Sequence, residues 1–368
     1  MLGFNNLYKI IIYIDTNRSI PIMVAILYDK TGPEAKRSAR RVVRAVGAAV
    51  FLVIVLGAAS ALLTGSRTLL RTSPTAAQND CLSRIGNVRN IQAYSQNDED
   101  GAILQTLRCM GGHGTKEYFE FGSENGAEVN TRLLRDMYGW HGHLLDGSNE
   151  NPKISLHKEY FTPSNIVSLL QKYEVSKNLD VLSVDTDYDD LYITREILLG
   201  GYKPRVLITE FNVNFGSNWS VSILQKPIGK ESEVSWKGDC YYGASAMALI
   251  NLAKEFGYTP VFSNLVNLMF VRLDQAQELG MIIPSVDNFP SPFAFAMHTN
   301  CSGRTWKLID PNILAGKATD PKVSHSEFAN SFTTVKLSHK DFTGTRRYQS
   351  KYENKWRIFQ EEKAVTAA

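Results

Sequence analysis

A Rossmann-like α/β fold over residues 91–273 is predicted by three features of the sequence. Short apolar runs alternate with amphipathic stretches from residue 94 onward. Four of the runs end at an acidic residue, Glu120, Asp146, Asp185 or Glu210, and a glycine bend, Gly122-Ser-Glu-Asn-Gly126, follows the first of them. Strands that alternate with helices build a mostly parallel sheet with right-handed crossovers, which leaves helices on both of its faces.

The elements follow in order. Residues 118–121 form the first strand, and a helix after the glycine bend runs to residue 138. Residues 143–145 are the second strand, closed by Asp146-Gly147. Helical patterns at 149–159 and 164–174 surround an ill-defined third strand. Residues 181–184 form the fourth strand and end at Asp185, with a helix over 191–199, and residues 206–209 form the fifth, followed by Glu210-Phe211-Asn212. An apolar helix over 243–256 and strands near 259–263 and 267–272 complete a seven-stranded set. Residues 274–368 contain Pro284, Pro290 and Pro292 and a Lys-rich end from Ser338, so an extension, partly irregular and packed on the domain, is expected there.

The N-terminal part reads differently. Residues 45–64 carry no charge and are long enough to cross a hydrocarbon core of roughly 30 Å as one helix. Lys36, Arg37, Arg40, Arg41 and Arg44 precede that segment and only Arg67 and Arg71 follow closely, so residues 1–44 are expected in the cytosol and the bulk of the chain in the lumen of the Golgi or endoplasmic reticulum. Asp15, Arg18 and Pro21 interrupt the apolar stretch 8–28, which argues against a second span. Met23 opens a short basic leader, so residues 1–22 read as an upstream extension. Residues 65–90 read as a stem.

Cys81, Cys109, Cys240 and Cys301 all follow the membrane segment, where disulfides are permitted, and three pairings are open. No CxxC spacing points to structural zinc. Sequons at Asn218 and Asn300 fit the lumenal assignment. With 40 basic and 37 acidic side chains, the overall charge gives no case for nucleic acid.

In an open parallel sheet, ligands bind beyond the carboxyl ends of the strands, which is where the four acidic residues fall. Gly122 and Gly126 permit a tight turn and close backbone approach. An adenosyl amino acid lacks phosphate, so its site needs acidic groups for ammonium and sulfonium. Asp146, 26 residues after Glu120 at the end of the next strand, suits both ribose hydroxyls.

About 180 residues, roughly half the chain, resemble the FkbM-type methyltransferases. The resemblance is carried in order by Tyr94-Ser-Gln-Asn-Asp-Glu-Asp100, Glu120-Phe-Gly122 with Asn125-Gly126, Asn130-Thr131, Gly139-Trp140-His-Gly142 running into Leu145-Asp146-Gly147, and Leu182-Ser-Val-Asp185-Thr-Asp187. Glu210-Phe-Asn212, Tyr242-Gly-Ala-Ser245 and Phe270-Val-Arg272 complete it. It implies a class I S-adenosylmethionine methyltransferase fold with sheet order 3-2-1-4-5-7-6, the seventh strand antiparallel, and O-methylation of sugar or polyketide hydroxyls. By the same likeness Glu120, Gly122 and Gly126 line the methionine part of the cofactor and Asp146 its ribose. Ser95 and Gln96 lie near the entrance, and Asp185 faces the sulfonium and the acceptor. One departure is Tyr188, which stands where the family usually has glycine and is followed by Asp189-Asp190.

Methyl transfer needs donor and acceptor held in line and a base for the hydroxyl proton, for which Asp185, Asp187 and Glu210 are the candidates. Asp185, Glu210 and Asn212 resemble the metal site of catechol-type O-methyltransferases and suit Mg2+, Mn2+ or Ca2+. The rival reading of Asp187, Asp189 and Asp190 is that they cap the next helix. His141 and His143 read as surface residues, and Trp236, Tyr241 and Tyr242 as either an acceptor rim or core packing. Two functions follow: a membrane-anchored O-methyltransferase acting on a glycan or glycoconjugate, or a non-catalytic relative that binds or escorts a cargo protein in the secretory pathway.

Overall fold

The computed structural model describes residues 11–14, 23–26, 80–85, 93–216, 219–225, 240–264, 266–286 and 303–337. The chain divides into two compact units, Met1–Thr72 and Ser73–Ala368. In the first, β1 (Ile11–Ile14) and β2 (Met23–Ile26) pair antiparallel. The membrane segment expected at 45–64 lies outside the described residues, as do both sequon asparagines. Among the described residues no helix is long and apolar enough to cross a membrane.

The second unit opens with α1 (Cys81–Ile85), α2 (Glu99–Cys109), β3 (Glu117–Phe121), α3 (Arg132–Tyr138), β4 (His141–Asp146) and β5 (Leu156–Lys158). It continues through α4 (Ile166–Lys172), β6 (Val181–Val184), α5 (Asp190–Leu199), β7 (Val206–Glu210), β8 (Val221–Ser222) and α6 (Ala246–Glu255). β9 (Tyr258–Ser263), β10 (Asn267–Arg272), α7 (Leu273–Glu278), β11 (Thr305–Leu308), α8 (Pro311–Lys317), α9 (His325–Asn330) and β12 (Thr334–Lys336) close it.

Seven strands form one sheet in the order β5-β4-β3-β6-β7-β10-β9, so the strands of this sheet, numbered among themselves, run 3-2-1-4-5-7-6. β3, β4, β5, β6 and β7 are parallel, and β10 is antiparallel to both its neighbours. Successive side chains on a strand point to opposite faces, and the core divides accordingly. Phe119, Leu182 and Leu207 pack with α4, α5 and α6 on one face. Tyr118, Val181, Val206 and Ile208 pack with α1, α2 and α3 on the other. Full burial of each such side chain stabilises the fold by about 1.5–3 kcal/mol, and both faces need apolar cover, which is why β6 and β7 read as near-continuous apolar runs.

Three expectations are corrected. The helical pattern at 149–159 is a 3-10 turn, Pro152–Ile154, followed by β5, because Pro152 lets a helical turn start but not pass through it from 149, and the left-handed Ser155 ends that turn. Part of the presumed stem is ordered, since α1 buries Leu82 and Ile85 and a disulfide joins Cys81 to Cys109 at the end of α2. Cys240 is also disulfide-bonded, with its partner outside the described residues. Within the extension, residues 303–337 carry more regular structure than expected. β11 pairs with β12 and with β8 in a three-stranded sheet, and Ile309, Leu314, Phe328 and Phe332 belong to the main core.

Candidate functional site

The five parallel strands bring their carboxyl ends to one edge of the sheet, and the antiparallel β10 delivers its first residue there, with Asn267 opposite Glu210. At that edge lies a cavity of about 550 Å³, within the usual range of roughly 300–1,000 Å³ for a small-molecule site. Ten carboxylic acids line it, among them Glu99, Glu120, Asp146, Asp185, Asp187 and Glu210, and no Lys, Arg or His does.

Glu120, the penultimate residue of β3, has its carboxylate already engaged. It accepts hydrogen bonds from Asn130 N at 2.8 Å, Thr131 N at 2.9 Å and Thr131 Oγ1 at 2.6 Å, so it pins the two residues that lead into α3. Burial raises its pKa against the pull of those donors. Its role is to fix the turn between β3 and α3, with one edge turned to the cavity.

The two glycines of that turn behave differently from the expectation that they admit a ligand. Gly122 has φ +71°, and a Cβ there would stand 1.6 Å from the carbonyl oxygen of Asp185, so the close approach is between the ends of β3 and β6. Gly126 has φ +78° and presses on Ile154, with 2.4 Å from a Cβ to Cδ1. Gly122 lines the cavity and Gly126 does not. The physical reason is that a buried backbone crossing requires glycine as strictly as a ligand does.

Asp146 sits where it was expected, at the end of β4. Its Oδ1 accepts from Ser148 N, Asn149 N and Asn149 Nδ2 at 2.7, 2.8 and 2.9 Å, which holds the side chain still and leaves Oδ2 without a hydrogen bond at the cavity. Gln96 lines the cavity, but Ser95 does not. Ser95 is buried and, together with the backbone N–H groups of Ala93 and Tyr94, donates to Asp100 Oδ2 at 2.8 Å. Glu99, which the spacing did not single out, reaches the cavity from the first turn of α2 and accepts from Asn97 N, Asn264 and Asn267.

Asp185, Asp187 and Glu210 come together, and an oxygen or oxygens from each lie within 4.8 Å of one another. Two unit charges about 4 Å apart at an effective dielectric of about 20 repel by about 4 kcal/mol. Burial, and then the charges of Asp190 and Asp187, push Asp185 well above the usual carboxylate range, and burial followed by the charge of Asp185 does the same to Glu210. Oε2 of Glu210 is buried and has no hydrogen-bond partner. Asn212 is excluded from the group. Its Nδ2 donates to the carbonyls of Cys240 and Tyr242, its Oδ1 accepts from Asn214, and it does not reach the cavity. Two residues beyond Glu210 the chain has left the sheet edge, and the amide clasps the Tyr242-Gly-Ala-Ser245 segment instead.

The loop after β6 explains the Tyr188 departure. The left-handed residue is Asp187, at φ +59°, and Tyr188 is not in that region. The bend therefore needs no glycine at 188, and Tyr188 lines the cavity while packing against the small apolar cluster that includes Phe215 and Trp306. The helix-capping reading of the acidic run does not match the hydrogen bonds. Asp190 Oδ1 accepts from Thr186 N and Oγ1 at 2.8 and 3.0 Å, pinning the loop, and Asp189 makes no side-chain cap. Tyr242 and Tyr241 pack rather than form a rim, and Trp236 lies outside the described residues. His143 is half-buried, not a surface residue, with Nδ1 3.0 Å from Nε2 of His157 across β4 and β5.

Asp190 makes the ligand-free site sensitive to pH. It is fully buried with Oδ2 unpartnered, and burial pushes its pKa up to about 7 from 3.8. The folded state thus holds the proton more tightly than the unfolded chain, so stability rises as pH falls from about 7 and the gain is complete below about 4. Urea unfolding should show a higher midpoint at pH 5 than Asp190→Asn can account for, with a steeper acid-side gain in the wild type than in the variant. Equal slopes would remove Asp190 as the cause.

Neither a protein-family model nor a curated protein matches this chain.

Proposed function

We propose that the chain is an S-adenosylmethionine-dependent O-methyltransferase with the class I methyltransferase fold, of the FkbM type it resembles. The observation that carries this is a cavity lined by ten carboxylic acids and no basic side chain, at the binding edge of a sheet ordered 3-2-1-4-5-7-6. Such walls favour a cationic adenosyl donor and oppose a dinucleotide, whose pyrophosphate calls for helix N-termini and positive charge.

Bound S-adenosylmethionine supplies a methyl group activated by a sulfonium. Asp146 Oδ2 is the acceptor for the ribose hydroxyls, and Gly122, Glu120, Glu99 and Gln96 flank the amino-acid end. Asp185 offsets the sulfonium charge. Glu210, with a pKa raised by burial and Asp185, is a stronger base than an ordinary carboxylate and takes the acceptor proton. Tyr160, Phe161 and Tyr188 give the opening aromatic walls for a glycan or glycoconjugate acceptor. The disulfide-bonded Cys81, Cys109 and Cys240 support an oxidising compartment, in line with a type II anchor at 45–64 and a lumenal domain in the Golgi or endoplasmic reticulum.

Titration calorimetry of the full-length chain in detergent tests the reading. S-adenosylmethionine is expected to bind in the micromolar range, and Asp146→Ala to weaken it roughly a hundredfold, or about 3 kcal/mol. If no heat appears up to millimolar donor, the methyl-transfer reading fails and the non-catalytic, cargo-binding one takes its place.

A further inference from the structure

We propose that Asp185, Asp187 and Glu210 hold one divalent, oxygen-preferring cation at the wall of the cavity. The ion's part in methyl transfer rests on the reading above, but its binding does not.

The three carboxylates come from two different strand ends. Asp185 leaves β6, Asp187 is turned back by its left-handed backbone, and Glu210 closes β7 next to it in the sheet. Their oxygens lie within 4.8 Å of one another. An ion with bonds of roughly 2.0–2.6 Å spans oxygens up to roughly 5 Å apart, so one ion reaches all three. An observation independent of the clustering also points to a ligand. Glu210 Oε2 is buried and accepts no hydrogen bond, whereas the carboxylates of Glu99 and Glu120 at the same cavity each accept three.

The donor set selects the ion. All three ligands are carboxylate oxygens, with no imidazole or thiolate at the cavity, which suits Mg2+, Mn2+ or Ca2+ and not zinc. Three ligands leave roughly three of six coordination positions open. Asp187 is exposed at the cavity mouth, so those positions face the space an acceptor enters. A hydroxyl bound there gives up its proton more readily.

Electron paramagnetic resonance of Mn2+ added to the chelator-treated full-length chain tests this, because bound Mn2+ loses the sharp signal of the aqueous ion. One Mn2+ per chain is expected, displaced by excess Ca2+ or Mg2+. Asp187→Asn and Glu210→Gln should each weaken it roughly tenfold or more, whereas Asp146→Asn should leave it unchanged. Thermal unfolding shows whether the variants are folded, and removing one of three crowded charges should not lower their midpoints without metal. No Mn2+ binding, or binding that both variants keep, overturns the site. Calorimetry with S-adenosylmethionine in chelator separates the two proposals: donor binding without Mn2+ binding sinks the ion alone, and Mn2+ binding without donor binding sinks methyl transfer alone.

Discussion

Gly122→Ala is expected to destabilise the domain by at least about 3 kcal/mol and to abolish donor binding. The added methyl would stand 1.6 Å from the carbonyl oxygen of Asp185 and 2.8 Å from its carbon. Both are backbone atoms, so no rotamer change relieves the overlap and the ends of β3 and β6 must separate. A left-handed backbone at φ +71° adds a second cost. Separation moves Asp185 away from Glu210 and breaks the acidic edge of the cavity. Gly201→Ala is the control, since Gly201 has φ +82° but nothing within 4 Å of its would-be Cβ. It should lose about 1 kcal/mol, the cost of backbone strain alone. Urea midpoints of the two variants measure the difference. If they fall by equal amounts, the contact with Asp185 carries no energy and the account of this glycine is wrong.

That glycine also shows where sequence reasoning succeeds and where it stops. Its need for a positive φ was legible, because a glycine one residue past an apolar strand signals a sharp turn. The partner it makes room for was not, because Asp185 is 63 positions away and only the sheet order brings it close. The sheet itself was largely legible, since β3, β4, β6 and β7 each carry an apolar run with an acidic end. β5 was not, because three residues give no period to read and Pro152 sits in a helix-like pattern. In the cavity, Asp146, Asp185 and Glu210 were found from strand ends. Asn212 was misplaced and Glu99 overlooked for one reason: strand-end logic places a residue at the edge but does not say where the chain turns next. Glu99 comes from a helix N-terminus on another part of the sheet, held there by Asn264 and Asn267. The regular structure of residues 303–337 was not foreseen because the prolines at 284–292 governed the reading, and Phe328 and Phe332, four apart, were the available sign of a buried helix face.

The same region supplies the second large effect. Arg195 on α5 is fully buried, and its guanidinium donates to four backbone carbonyls: Ala318 at 3.1 Å, Lys317 at 3.0 Å, Asp320 at 3.3 Å and Val323 at 3.0 Å. It also pairs with Glu196 and lies 4.4 Å from the centre of the Phe328 ring. These carbonyls belong to the end of α8 and the turn that leads to α9, where a helix C-terminus leaves acceptors without intrahelical donors. One planar cation with five N–H groups therefore fastens a segment 123 positions further along the chain onto α5. Arg195→Met keeps much of the volume and removes every donor, so the carbonyls must either stay unpaired or open to water. A loss of about 3–5 kcal/mol is expected. Hydrogen exchange should locate it, with the amides of α8 and α9 exchanging much faster and those of β3 and β6 little changed. Arg195→Lys should recover only part of the loss, because an ammonium cannot reach four carbonyls in a plane. A loss under about 1 kcal/mol, or faster exchange spread evenly over the domain, would mean that residues 303–337 hold on through Ile309, Leu314, Phe328 and Phe332 alone. Since α5 begins at the loop that carries Asp185 and Asp187, the variant also asks whether the C-terminal region braces the acidic edge or merely covers the core beneath it. Donor affinity that survives the loss of α8 protection gives the second answer.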